Sequence, residues 1–139
     1  MRQEFYNLKI STNGQKLYEF TDKSIIWIEE NNFKNGILNL TIQHTSASLI
    51  VQENADPDVQ TDLINYFDKI VPMNNKLYIH TTEGKDDMPA HIKSALTNNQ
   101  ISLSIKDGKL LMGTWQGIYL FEHRINKNTR TVIHHFIGD

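Results

Sequence analysis

The chain contains no cysteine. That removes disulfides, thiolate nucleophiles and cysteine-ligated zinc, and it agrees with a reducing compartment. No run approaches the ~18 consecutive apolar residues of a membrane-spanning helix. The opening MRQEFYNLKI lacks the apolar core of a secretory leader, so a cytoplasmic protein with no membrane partner is expected. No basic stripe stands out: the formal net charge is -2, which leaves no electrostatic footprint for nucleic acid. No internal repeat, low-complexity tract or linker interrupts the sequence. No P-loop, no DDxxD diphosphate motif and no GxSxG nucleophile elbow occurs in it.

What remains is an ordinary domain-sized chain. It has 139 residues, 39% apolar and 22% charged, enough for one core in one domain over residues 1–139. It carries six histidines, the side chain that works as acid, base or metal ligand near neutral pH.

Periodicity predicts α+β architecture. EFYNLKIST alternates as a strand, Asn13-Gly14 marks a tight turn, and a return strand is expected near Lys16 to Phe20. Thr21 reads as the N-cap of a helix carrying Ile25, Ile26, Ile28 and Phe33, stopped by Asn35-Gly36. ILNLTIQH is a strand with Leu38, Leu40, Ile42 and His44 on one face, and SLIVQEN continues extended. Asp56-Pro57 opens a helix with Val59, Leu63, Ile64, Phe67 and Ile70 at helical spacing, ending about Val71. Leu77 to Thr81 reads as a short strand. Pro89 sits in the first turn of a further helix, with Ile92, Ala95 and Leu96 inward, ended by Asn98-Asn99. ISLSI, the Asp107-Gly108 turn and a partner within KLLMGTWQGIYLFEHR form a hairpin, and TRTVIHHFI is the last strand. About seven strands or more and two or three helices, joined mostly by hairpins, imply antiparallel sheets.

Four clusters carry chemistry. His44, at the end of an apolar row, is followed by Thr45 and Ser46; it is either a core-edge histidine or a base on a pocket rim whose hydroxyl neighbours bind phosphate oxygens. Near Asn54, Asp56 is a helix cap or a ligand contact. In EGKDDMPAH, Asp86, Asp87 and His91 either form an acidic surface loop with a cap or hold a divalent ion, magnesium, manganese or zinc. In GTWQGIYLFEHR, Glu122 ends the row of Gln116, Ile118 and Leu120, while His123 falls on the opposite face, so the two make no simple dyad. A desolvated Glu122 needs a cation or a raised pKa. His80, His134 and His135 lie on strand-like segments without a motif and are read as structural.

HTSASL, QENADPDV, DDMPAHIKSAL and GKLLMGTWQGIYLFEHR, in this order, closely resemble the YjbQ family of secondary thiamine-phosphate synthases, over about Phe5 to Ile137. The resemblance implies a β-sandwich with flanking helices, assembled as a homotrimer, with a pocket at or near subunit contacts. It implies joining of hydroxymethylpyrimidine diphosphate to a thiazole phosphate with release of diphosphate. Carried over residue by residue, His44, His91 and Glu122 are the catalytic candidates and Asp86, Asp87 and His91 the metal ligands. Thr45, Ser46, Asn54, Asp56, Thr114, Trp115, Gln116, His123 and Arg124 would contact a small phosphorylated metabolite. Lys85, Lys93 and Arg124 are candidate phosphate partners, and Trp115 or Tyr119 a stacking surface. Two other readings stay open: a metal-dependent hydrolase of a small phosphorylated or amide metabolite, and a non-enzymatic trimeric metabolite-binding module.

Overall fold

Alternating apolar residues build two antiparallel sheets in the computed structural model of the chain, which describes residues 1–139. The larger sheet runs, edge to edge, β1 (Arg2–Asn13), β8 (Lys127–Gly138), β3 (Gly36–Ile42), β5 (Gln100–Lys106) and β6 (Lys109–Leu110). The smaller sheet has β7 (Gln116–Glu122) at its centre, between β2 (Lys16–Glu19) and β4 (Ala47–Glu53). Helix α1 (Thr21–Glu30) follows β2, α2 (Pro57–Ile70) follows β4, and α3 (Asp87–Leu96) precedes β5. The class is α+β, as the periodicity predicts. No helix is long and apolar enough to cross a membrane.

The sheets bury their facing rows against one another. Leu38, Leu40, Ile42, Val132 and Phe136 of the larger sheet share one cluster with Ala47, Leu49, Ile118 and Leu120 of the smaller. The smaller sheet's other face is covered by α2: Leu17, Tyr119 and Phe121 pack on Leu63, Ile64 and Phe67. β7 is therefore buried on both faces, which is why GIYLF is continuously apolar rather than alternating. Each buried leucine or isoleucine here contributes roughly 1.5–3 kcal/mol.

Several local expectations are corrected. Asn13-Gly14 turns the chain, but β2 does not return along β1: β1 pairs with β8 over its whole length and β2 with β7. Turn residues fix a change of direction, and alternation cannot name the partner strand. The Asp107-Gly108 hairpin is present as expected, β6 being the short partner of β5 within KLLMGTWQGIYLFEHR, while β7 from the same run crosses to the other sheet. Phe20 precedes α1, and Thr21 lies inside its first turn, its hydroxyl accepting from the Ile118 N–H at 2.8 Å. Thr21 thus fastens α1 to β7 instead of capping it. The helix ends at Glu30, and Gly36 serves a strand: a Cβ there would lie 2.3 Å from the Ile137 carbonyl oxygen. Leu77 closes a 3-10 turn, Asn75–Leu77, and no strand follows. In α3 the inward residues are Pro89, Ala90 and Lys93, while Leu96 is exposed.

Asp56 resolves as the cap of α2, its carboxylate accepting from the Asp58 N–H at 2.9 Å. Asp56→Ala should lower stability by about 1 kcal/mol, a fall in Tm of roughly 3–5 °C by calorimetry.

Candidate metal centre and the cavity beside it

The first turn of α3 places Asp87 and His91 four residues apart on one face. The irregular segment before the helix brings His80 to the same point. The Nε2 atoms of His80 and His91 lie 2.8 and 3.2 Å from one oxygen, Asp87 Oδ2. The ligand atoms of all three lie within 4.8 Å of one another.

Protons decide what this geometry means. His91 Nδ1 donates to the Thr45 carbonyl at 2.9 Å, so the neutral ring keeps its lone pair on Nε2. That lone pair faces a carboxylate oxygen 3.2 Å away, an arrangement that needs a cation or a shared proton between them. Asp87 Oδ1 is taken by Arg124 Nη1 at 2.5 Å, which leaves Oδ2 for His80, His91 or an ion. Burial raises the Asp87 pKa, but the His80 hydrogen bond, the charge of Arg124 and the contact with His91 outweigh it and hold the group below the usual carboxylate range. A fixed imidazole tautomer and a clamped carboxylate are the supporting interactions that metal ligands require.

Of the three residues expected to hold an ion, the structure brings Asp87 and His91 together with His80, and leaves Asp86 apart. Asp86 is buried and fully engaged, its Oδ2 accepting from Arg124 Nε at 2.8 Å and the Ile125 N–H at 3.0 Å. It steadies Arg124, and His80, read as structural from sequence, takes its place. The signal was available as the spacing of His80, Asp87 and His91, though a seven-residue gap outside a helix has no period to betray it.

Beside His91 lies a cavity of about 400 Å³ lined by His44, Thr45, His91, Ser94, Thr97 and Asn99, among others. His44 is half-buried at the end of β3. Its Nε2 accepts from the Thr131 N–H at 2.9 Å, and its Nδ1 lies 3.4 Å from Arg130 Nη1. Burial, and then the Arg130 charge, lower its pKa, with Glu122 opposing.

Glu122 does not line this cavity. It is fully buried, accepting from Arg130 Nε at 2.7 Å, Arg130 Nη2 at 2.5 Å, the Thr12 hydroxyl at 2.7 Å and the Arg124 N–H at 3.0 Å. It reaches His44 only through Arg130. Ser46 accepts from the same guanidinium at 3.0 Å. Sequence reasoning passed over Arg130, although it ends the buried row of Val132, His134 and Phe136 on β8 just as Glu122 ends its own.

His123 is also out of reach of ligand. It is 1% exposed, its Nε2 sits 2.9 Å from Ser48 Oγ, and its Nδ1 has no partner. As expected, it and Glu122 serve different neighbours. Lys93 is buried too, its ammonium on Asp68 and Gln15. Tyr119 is 2% exposed, so it offers no stacking face.

Asn54, Asp56, Thr114, Trp115 and Gln116 lie elsewhere in the chain. β4 pairs with β7 from Ala47↔Glu122 to Glu53↔Gln116. The Trp115 turn is thus a strand's length, about 20 Å, from Glu122. It is held by Asn54, whose N–H donates to the Trp115 carbonyl at 2.9 Å and whose side chain donates to Gln116 O at 3.3 Å. Trp115 itself is 64% exposed.

The comparisons agree on one family. A family profile described as "UPF0047 protein YjbQ-like" matches residues 6–139. The Synechocystis UPF0047 protein sll1880 is 47% identical over 138 residues, covering 99% of this chain and 94% of that protein. Escherichia coli O157:H7 YjbQ is 41% identical over 127 residues, 91% of each chain. The crystal structure of a YjbQ/UPF0047 protein from Clostridium acetobutylicum superposes with a TM-score of 0.84 at 32% identity, covering 96% of this chain and 99% of that one.

Two outcomes follow from the buried charges and rings. Glu122→Gln leaves Arg130 as an uncompensated buried cation, and urea denaturation should show a loss of about 3–5 kcal/mol. His123 and His134 are held neutral by burial, their pKa values lowered to about 3 and about 4. On unfolding they regain ordinary values near 6.5, so stability is full above about pH 6.5 and falls on acidification. The slope should reach roughly 2.7 kcal/mol per pH unit near pH 5, and urea titrations of His134→Gln should show half of it.

Proposed function

This chain belongs to the YjbQ-like UPF0047 family, and from that premise we propose that it is a metal-dependent enzyme acting on a small phosphorylated metabolite, with one divalent ion held by His80, Asp87 and His91. The observation that carries this reading is the convergence of His80 Nε2 and His91 Nε2 on the single oxygen Asp87 Oδ2, with His91 Nδ1 already committed to the Thr45 carbonyl. Two imidazoles and one carboxylate suit zinc or manganese better than magnesium, and three protein ligands leave positions for substrate. Such an ion supplies Lewis-acid polarisation and neutralises charge on a phosphoryl oxygen. The chain's own residues do the rest. The Thr45 carbonyl fixes the His91 ring, Arg124 fixes Asp87, and the cavity lined by His44 and Asn99 receives the substrate. Hydrolysis is the reaction this geometry favours.

The thiamine-phosphate-forming reaction is the second reading, and the exposed indole of Trp115 favours it. An aromatic face free to stack on a pyrimidine or thiazole ring is what that reaction needs. Because Trp115 sits at the far end of β7, it would act on the metal centre of a neighbouring subunit, which requires the homotrimer. In this reading an ion held by His80, Asp87 and His91 would neutralise the diphosphate, since Arg124 and Lys93 are already engaged by carboxylates.

Metal analysis of the purified protein by mass spectrometry, with calorimetric titration of zinc, manganese and magnesium, tests both. One equivalent of zinc or manganese is expected, with affinity falling more than about 100-fold in His80→Ala, Asp87→Asn and His91→Ala. Magnesium bound only with diphosphate would favour the transferase. Absence of any metal binding would overturn both and leave a metabolite-binding module.

A further inference from the structure

Two hydrogen-bond donors meet beside the cavity with no acceptor between them. His44 Nε2 faces the backbone N–H of Thr131 at 2.9 Å, and a backbone N–H can only donate. The lone pair of the ring is therefore on Nε2 and the proton on Nδ1. Yet Nδ1 points at Arg130 Nη1, also purely a donor, 3.4 Å away. Every other edge of this guanidinium is satisfied: Nε and Nη2 by Glu122, Nη2 also by Ser46. Nη1 has no acceptor in the chain; its only polar neighbour is the protonated ring nitrogen. The cavity itself is lined by His44, with the exposed Thr45 and Asn99 side chains on the same wall, and Arg130 stands behind His44. Glu122 neutralises most of the Arg130 charge, and Arg130 is 5% exposed, so the site is rigid and partly desolvated, where a charge-assisted hydrogen bond is strongest.

We propose that His44 Nδ1–H and Arg130 Nη1 form a subsite for a substrate oxyanion, one oxygen of which accepts from both. The Thr45 hydroxyl and Asn99 lie where the remaining oxygens or the adjoining group would bind, and the metal ligand His91 is on the same wall. This deepens the proposed function and rests on it: the subsite anchors the charged end of the metabolite while the reacting bond lies toward His80, Asp87 and His91. The alternative, in which His44 acts as a general base, does not fit a ring whose only lone pair is already used by Thr131. His44 is thereby reassigned from catalysis to binding.

Inorganic phosphate and acetate, titrated calorimetrically into the full-length protein in EDTA, test the subsite without the metal. Saturable binding is expected, with a shift of the Thr131 amide resonance in NMR spectra. The tighter of the two ions identifies the substrate group as phosphoryl or carboxylate. His44→Gln keeps an acceptor for Thr131 but loses the Nδ1 donor; it should fold normally and weaken the anion at least about tenfold. His80→Ala should lose zinc and keep phosphate. Absence of saturable binding by either ion, unchanged affinity in His44→Gln, or binding only when zinc is present would overturn the subsite. Phosphate binding in a protein that binds no metal would overturn the metal reading alone.

Discussion

The carboxylate of Glu122 joins the two sheets. It belongs to β7 of the smaller sheet, and its partners Thr12 and Arg130 belong to β1 and β8 of the larger. A charge with no solvent contact persists only when nearly every lone pair is used, and here four donors converge on it. Such a pair adds little net stability over an apolar substitute. Its contribution is to geometry: only one relative position of the sheets satisfies the three bonds that cross between them. From it the constraint spreads in two directions. Through Arg130 it reaches His44 and Ser46. Through the Arg124 backbone it reaches the guanidinium that holds Asp86 and Asp87, and from Asp87 the two imidazoles. The proposed anion subsite and the candidate metal ligands are thus referred to a single buried atom group, which supports preorganisation of a site built from distant segments.

Much of this was legible in the chain, because burial writes itself as period. The alternation of ILNLTIQH, the helical spacing after Asp56-Pro57 and the continuous GIYLF run each specify an element and its inward face. Where sequence fell short, the missing information was the identity of a partner. Nothing in Asn13-Gly14 says that the next strand will join β7 rather than β1. The failure at α3 has another cause: Lys93 is inward because Asp68 and Gln15 meet its ammonium, and a buried lysine breaks the apolar stripe from which the face is read.

The site was legible in part. Asp87 and His91 declare themselves by helical spacing, and Glu122 by ending an apolar row. His80 lies in a segment with no regular structure, so periodicity is silent there. Asp86 and Arg124 are residue types that suggest ligand contact, yet they satisfy one another. The GTWQG motif is the instructive case. It travels with the histidine motifs in the resemblance, yet the antiparallel pairing of β4 and β7 sends it to the opposite end of the sandwich.

That turn has a thermodynamic side. Two bonds donated by Asn54 and one donated by the Gly113 N–H to the Gln116 carboxamide oxygen lock the backbone around an indole that remains in water. The disorder a loop would surrender on meeting a flat ring has already been surrendered during folding. A flat ring settling on that indole would meet a finished surface, and its binding free energy would not be offset by the entropy of ordering a loop.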